Sequence, residues 1–159
     1  MIRVQVQQAA FDLNEEMARL CAGDAGIGAV ASFVGLVRDI NRIGRQASAV
    51  SSMTLEHYPG MTEKALERIA EKAARRWQLQ AVTVIHRVGE LYPTDPIVLV
   101  ICASPHRHDA FDACQYVMDK LKTEAPFWKK ETLPDGKQRW VDSRESDNRA
   151  ASRWEDDGF

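Results

Sequence analysis

The segment richest in reactive groups runs Lys122, Thr123, Glu124, Ala125, Pro126, Phe127, Trp128, Lys129, Lys130, Glu131. Lys122 falls one turn after Met118 and two after Cys114, so it prolongs the apolar stripe of a helix and not its solvent face. A lysine so placed must snorkel, pair or work; it can also complement the negative end of the helix dipole, an ordinary role for a last-turn cation. Pro126 stops one helix from carrying both Lys122 and Lys129, while Phe127 and Trp128 are placed to anchor a turn by packing. Such a turn can bring both ammonium groups toward one point. Two lysines in a partly dry cleft lower each other's pKa and supply some neutral amine as base or nucleophile. The plainer alternative is that Lys129 and Lys130 are a solvated pair of charges.

Upstream, Ser104, Pro105, His106, Arg107 and His108 stand between an apolar run and the helix that ends at Lys122. A helix N-terminus offers backbone donors to an anion, Arg107 can grip phosphate with two nitrogens, and His106 can donate beside it. Either histidine can instead cap the helix. Arg38 closes the stretch Phe33, Val34, Gly35, Leu36, Val37, where Gly35 permits close approach of a ligand or a neighbouring strand. Leu55 to Met61 and His86 to Glu90 are polar interruptions that structural turns would also explain. The chain has no phosphate-binding glycine loop, no dinucleotide fingerprint, no His-Glu-x-x-His and no evident activated Ser or Cys. These cations therefore suit an anionic substrate, with no metal and no cofactor expected.

The elements that must position these groups follow from pattern. The chain has 159 residues, 45% of them hydrophobic, enough for one core and short for two. Charged residues make up 28% and nearly cancel to −2, which excludes a global field for nucleic acid or acidic surfaces. Cys21, Cys102 and Cys114 are odd in number and widely spaced, so neither a disulfide framework nor a Cys-x-x-Cys site is expected. Met1 to Gln8 has no long apolar stretch behind it and no run reaches the length of a membrane span, which predicts a cytoplasmic protein.

Alternation predicts a strand at Ile2 to Val6, and Asp12 with Glu15 opens a helix bearing Leu13, Met17 and Leu20. Gly26 to Val37 reads as a strand; a polar loop through Asn41, Gly44 and Arg45 leads to a second at Ser52 to Tyr58. Helical spacing covers Thr62 to Trp77, and strands follow at Ala81 to Val88 and Ile97 to Ala103, the latter apolar enough to be covered on both faces. A helix over Asp109 to Lys122 and a hairpin of Glu131 to Leu133 with Gln138 to Val141 complete the domain, expected to span residues 1–142. The charged tail, residues 143–159, is expected to be loose until a partner orders it. This order is not the regular alternation of a doubly wound sheet, so the fold class is α+β with a mixed or antiparallel sheet.

Four motifs in this order carry a resemblance: Leu55-Glu56-His57-Tyr58-Pro59-Gly60-Met61, His86-Arg87-Val88-Gly89-Glu90-Leu91, Met118-Asp119-Lys120-Leu121-Lys122, and Ala125-Pro126-Phe127-Trp128-Lys129-Lys130-Glu131. The chain resembles the large, catalytic subunit of molybdopterin synthase from its first strand to Trp154. The resemblance implies an α/β-hammerhead-like single domain and a sulfurtransferase of molybdenum cofactor biosynthesis. It implies a ubiquitin-like small subunit whose C-terminal thiocarboxylate enters the large subunit, cyclic pyranopterin monophosphate as substrate, and a homodimer within a heterotetramer. It places Lys122 as principal catalytic lysine and Lys129 as its companion. Substrate binding falls to Leu36, Val37, Arg38, His106 and Arg107 and to Lys122 and Lys129 themselves, with Lys130 and Glu131 behind Lys129. Leu36 departs from the polar or basic residue of many relatives, leaving its backbone for contact. Two other readings stand beside this: a noncatalytic phosphate-ligand or protein-binding module of the same fold, against which the retention of both lysines argues, and a small RNA-binding domain, which lacks an extended basic face.

Overall fold

Along the chain come β1 (Ile2–Gln7), α1 (Leu13–Cys21), β2 (Ala29–Leu36), β3 (Ile40–Ile43), β4 (Gln46–Ala49), β5 (Ser52–His57), α2 (Met61–Arg76), β6 (Ala81–Arg87), β7 (Gly89–Leu91), β8 (Pro96–Ser104), α3 (Arg107–Glu124), β9 (Phe127–Thr132), β10 (Gln138–Val141) and α4 (Glu145–Ser152). The structure is a computed structural model and describes residues 1–43, 46–141 and 145–155. Side-chain alternation builds the main sheet, ordered β1-β6-β8-β2. Val82 and Val84 of β6 and Val98, Val100 and Cys102 of β8 meet Leu66 and Ile69 of α2 and Val117 and Leu121 of α3. The intervening Ala81, Ile85, Leu99, Ile101 and Ala103 meet Leu20 of α1 on the other face. The continuous apolar run of β8 is thus covered on both sides, as its composition predicts.

β1 runs parallel to β6, whereas the β6–β8 and β8–β2 pairs are antiparallel. A second, wholly antiparallel sheet has the order β10-β9-β5-β7. Val37, Leu55, Val88, Leu91 and Ile97 form a third cluster that joins it to the first. The class is α+β with mixed and antiparallel sheets, as expected. Asp12 caps α1, its Oδ1 accepting the N–H groups of Asn14 and Glu15 at 2.7 and 3.1 Å. Gly60, at φ +82°, opens α2 while its N–H donates to Glu63.

Three stretches differ from the sequence expectation. The polar stretch between Asp39 and Ser51 contains the β3–β4 ladder, and Arg139 Nη2 donates to Ser48 Oγ at 3.0 Å. A hairpin held by backbone bonds and one arginine leaves no hydrophobic alternation to read; Gly44 and Arg45 lie outside the described residues. β9 begins at Phe127 and not at Glu131, so Lys129 and Lys130 sit on a strand and not in a turn. The tail is not loose where it is described. Trp154 meets Trp77 and Tyr116 edge-on at 5.7 and 5.6 Å, and its Nε1 donates to Asp119 at 2.8 Å. One half-buried aromatic anchor outweighs a charged average; residues 142–144 and 156–159 lie outside the described residues.

Candidate active site

A cavity of about 530 Å³ opens where the end of β2, the last turn of α3 and β9 meet, lined by Arg38, Lys122, Lys129, Glu131 and His86 together with Phe33, Leu36, Met118 and Phe127. The joint between α3 and β9 sets the two lysines. Ala125 is extended at ψ 128°, as a residue before proline must be. Thr62 Oγ1 donates to the Pro126 carbonyl at 2.9 Å and accepts the Tyr58 N–H at 3.0 Å, which pins the joint to the start of α2. Lys122 lies exposed beyond Met118 and Leu121, its neighbours on the cavity wall. On β9 the period of two turns Phe127, Lys129 and Glu131 toward the cavity. Lys130 alternates to the other face, where its Nζ stands 5.5 Å from the centre of the Trp140 ring.

Leu36, half exposed, and Arg38 line the cavity from the end of β2. Gly35 is needed there, because a Cβ would come within 2.7 Å of the Val98 side chain. Val37 lies between them but belongs to the core at 3% exposure, its N–H bound to the Asp95 carbonyl and its own carbonyl to the Thr94 N–H. It is a core residue whose two backbone groups are already engaged. Glu131 is also 3% exposed and takes two donors from Arg139, Nε at 3.1 Å and Nη2 at 2.8 Å. Its charge is thereby paired inside the wall.

His106 and Arg107 are not at this cavity. They are exposed at the opposite end of α3, beside the start of β2, where Ser104 pairs with Ala29. Fifteen positions of helix, from 107 to 122, span about 22 Å. His106 occupies the N-cap position with no side-chain capping bond, so the plain capping role is not the one it fills. The residue that sequence reasoning passed over is His86, read only as a polar break. The available signal was parity, since His86 continues the Val82, Val84 face of β6 toward α3. Cys102 and Cys114 are buried and face each other. That contact first, and burial second, push the Cys102 thiol up, whereas the same contact draws Cys114 down against its burial. Among the described residues no group of three or more His, Cys, Asp or Glu could hold a metal, and no helix is long and apolar enough to cross a membrane.

A family profile described as "MoaE protein" matches residues 6–124 of the chain. The chain belongs to the MoaE family. Curated molybdopterin synthase catalytic subunits resemble it along nearly its whole length. That of Ralstonia nicotianae is 58% identical over 97% of the chain and 85% of the relative. That of Pseudomonas aeruginosa is 58% identical over 96% and 99%, and that of Escherichia coli 51% over 96% and 97%. Among solved structures, the MoaE protein of Burkholderia ambifaria superimposes with a TM-score of 0.81 at 55% identity, covering 98% of this chain and 99% of that one. Molybdopterin synthase from Staphylococcus aureus gives 0.75 at 30% identity, over 86% and 95%.

Proposed function

We propose that the cavity between α3 and β9 is where sulfur passes from the C-terminal thiocarboxylate of a ubiquitin-like small subunit to cyclic pyranopterin monophosphate, forming the dithiolene of molybdopterin. The chain does the work of a molybdopterin synthase catalytic subunit, a sulfur-transferring enzyme of molybdenum cofactor biosynthesis. The observation that carries the site is the convergence of Lys122, Lys129 and Arg38 on one cavity of about 530 Å³, a size suited to a fused pterin. Sulfur arrives on the partner, so the cavity needs cations that hold two anionic reactants together and stabilise developing oxyanions. Lys122 moves protons as C–S bonds form, and Lys129 fixes the thiocarboxylate beside it. Such a reaction belongs to the cytoplasm.

The phosphate falls to His106 and Arg107 of a second copy. β2 is an edge strand of the main sheet and keeps Phe33 exposed, with Phe111 of α3 exposed beside it. Two copies joined antiparallel along β2 about a two-fold axis would set the Ala29 end of one strand against the Leu36 end of the other. Eight strand residues cover about 26 Å, close to the distance between the two ends of α3. The start of one copy's α3 then reaches the cavity of its mate, consistent with a homodimer within a heterotetramer.

The test is to mix the purified chain with a thiocarboxylated small subunit and cyclic pyranopterin monophosphate and to assay for dithiolene. Product is expected, and none is expected from a small subunit ending in an ordinary carboxylate. A chain that gives no product where a known synthase works does not have this function.

A further inference from the structure

The cavity holds a histidine with no assigned work, and its hydrogen bonding fixes what it can do for the sulfur transfer proposed above, on which this inference rests. His86 Nδ1 lies 2.8 Å from the carbonyl oxygen of Arg87. A carbonyl only accepts, so Nδ1 carries the ring's proton and the neutral imidazole keeps Nε2 as a bare acceptor. The ring stacks on Phe127, with centroids 3.8 Å and planes 22° apart, which fixes its orientation. Lys129 follows Phe127 by two residues on the same face of β9 and lines the same cavity as the ring, close enough for its charge to act on it. Burial first of all holds the imidazole neutral, lowering its pKa to about 3; the bond to Arg87 opposes this, and the charges of Lys129 and then Lys122 add to it.

We propose that His86 is a positioning residue for the sulfur transfer: its Nε2 is the acceptor that the Lys129 ammonium takes up when the reactants enter the cavity, and it then keeps that side chain aimed at the reacting atoms. A neutral acceptor does this without cancelling the charge it orients. A carboxylate beside Lys129 would orient the ammonium and also cancel its charge, and with it the attraction for a thiocarboxylate and a phosphate. Of the two carboxylates in the wall, Glu131 is already paired with Arg139 and Asp147 faces three cations, Arg38, Lys122 and Lys129, so the cavity keeps a net positive character.

Two substitutions separate this role from a merely structural one. His86→Phe keeps the stack on Phe127 and removes both nitrogens, and His86→Gln restores an acceptor near the Nε2 position. Both are assayed with the thiocarboxylated partner and cyclic pyranopterin monophosphate beside the wild-type chain, and the lysine ammonium signals are followed by 15N NMR. In His86→Phe, kcat falls about 10- to 100-fold with KM little changed, and the Lys129 ammonium protons exchange faster with water. His86→Gln recovers most of both. Should His86→Phe lose its fold in thermal melts, His86→Asn, whose amide N–H can keep the bond to Arg87 and whose shorter side chain puts no acceptor at the Nε2 position, takes its place with the same two readouts. A folded variant that transfers sulfur at the wild-type rate overturns the role, as does a rate loss with Lys129 exchange unchanged. If the wild-type chain makes no dithiolene while Lys129 exchange still responds to His86→Phe, the hydrogen bond stands and the sulfur-transfer reading fails, taking the positioning role with it.

Discussion

Helix α3 carries cationic candidate residues at both ends, and the two ends stand in different surroundings. At its C-terminal end Lys122 continues an apolar stripe through Cys114 and Met118 and shares a cavity with Arg38, Lys129 and the buried His86. At its N-terminal end His106 and Arg107 are exposed, with free helix N–H groups behind them and no side-chain cap. A concave wall with a fixed acceptor can orient an amine against a reacting bond; an open helix start with a guanidinium can only grip an anion. On the function proposed above, one chain therefore carries a reactive half and a gripping half of a site, kept apart by the length of α3. What separates them is surroundings more than residue type.

The contrast is broken most directly at its reactive end. Lys122→Ala is expected to cut sulfur transfer by more than about 100-fold, while thermal melts show a stability change under about 1 kcal/mol, the usual worth of a last-turn lysine. Lys122→Arg keeps the charge, cannot shed a proton, and should fail nearly as badly. Rescue by arginine would reduce the lysine's role to charge alone. At the gripping end, Arg107→Ala should weaken substrate binding by about 10- to 100-fold, the worth of a lost charge-assisted contact, with a smaller effect on the chemical step. Mixing the two variants, at substrate well below the KM of Arg107→Ala so that neither turns over alone, sharpens the comparison. If the ends of α3 serve each other across a two-fold axis, each mixed dimer has one intact site, and random exchange restores about a quarter of wild-type activity. No recovery after verified exchange would place both ends in the same copy's site or remove Arg107 from it.

Much of this was legible before any coordinates. The helices of α2 and α3, the doubly covered β8 and the two lysines brought to one place by Pro126 follow from spacing and from proline's missing N–H. The β3–β4 hairpin and β7 were not, because short ladders held by backbone bonds leave no hydrophobic period. Lys130 looked equivalent to Lys129 until the start of β9 set their parity; one residue of register decides which lysine faces the cavity. The packing of the tail rests on Trp154 together with buried Ala151 and the Arg153–Asp119 pair, a signal lost in a run of charges. That Arg107 and Lys122 cannot meet within one chain could be read from fifteen positions of helix once both were placed on it.

His86 supplies a milder break through pH. Its pKa is lowered to about 3 in the fold, chiefly by burial, against an ordinary 6.5. Between these values the unfolded chain binds a proton that the fold refuses, so stability rises with pH across that window. The contribution is full above pH 6.5 and is lost as pH falls toward 3, about 5 kcal/mol in all. Urea melts from pH 7 to pH 4 should show this loss in the wild-type chain and a shallower one in His86→Phe, where nothing titrates. Parallel slopes in the two proteins would show that the ring is not held neutral by its burial.

The smallest expected effect concerns the thiols, and it tests whether the reactive end of α3 works through its lysine or through sulfur of its own. Cys114 lies on the same stripe as Lys122, two turns earlier, and contact with Cys102 draws its thiol down while pushing that of Cys102 up. Both are buried in the core cluster between the main sheet and α3, and Cys21 is half-buried at the end of α1. A thiol that carries sulfur must meet the donor and the substrate, and none of the three lines the cavity of Arg38, Lys122 and Lys129. Replacing Cys21, Cys102 and Cys114 together by alanine should cost on the order of 1–3 kcal/mol through lost packing. Below the melting transition, transfer from a thiocarboxylated partner should stay within about twofold of wild type, since in the proposed reaction the sulfur comes with the partner and Lys122 lowers the barrier. Loss of transfer in a folded cysteine-free chain, with Lys122 intact, would move the chemistry from the C-terminal end of α3 to its middle.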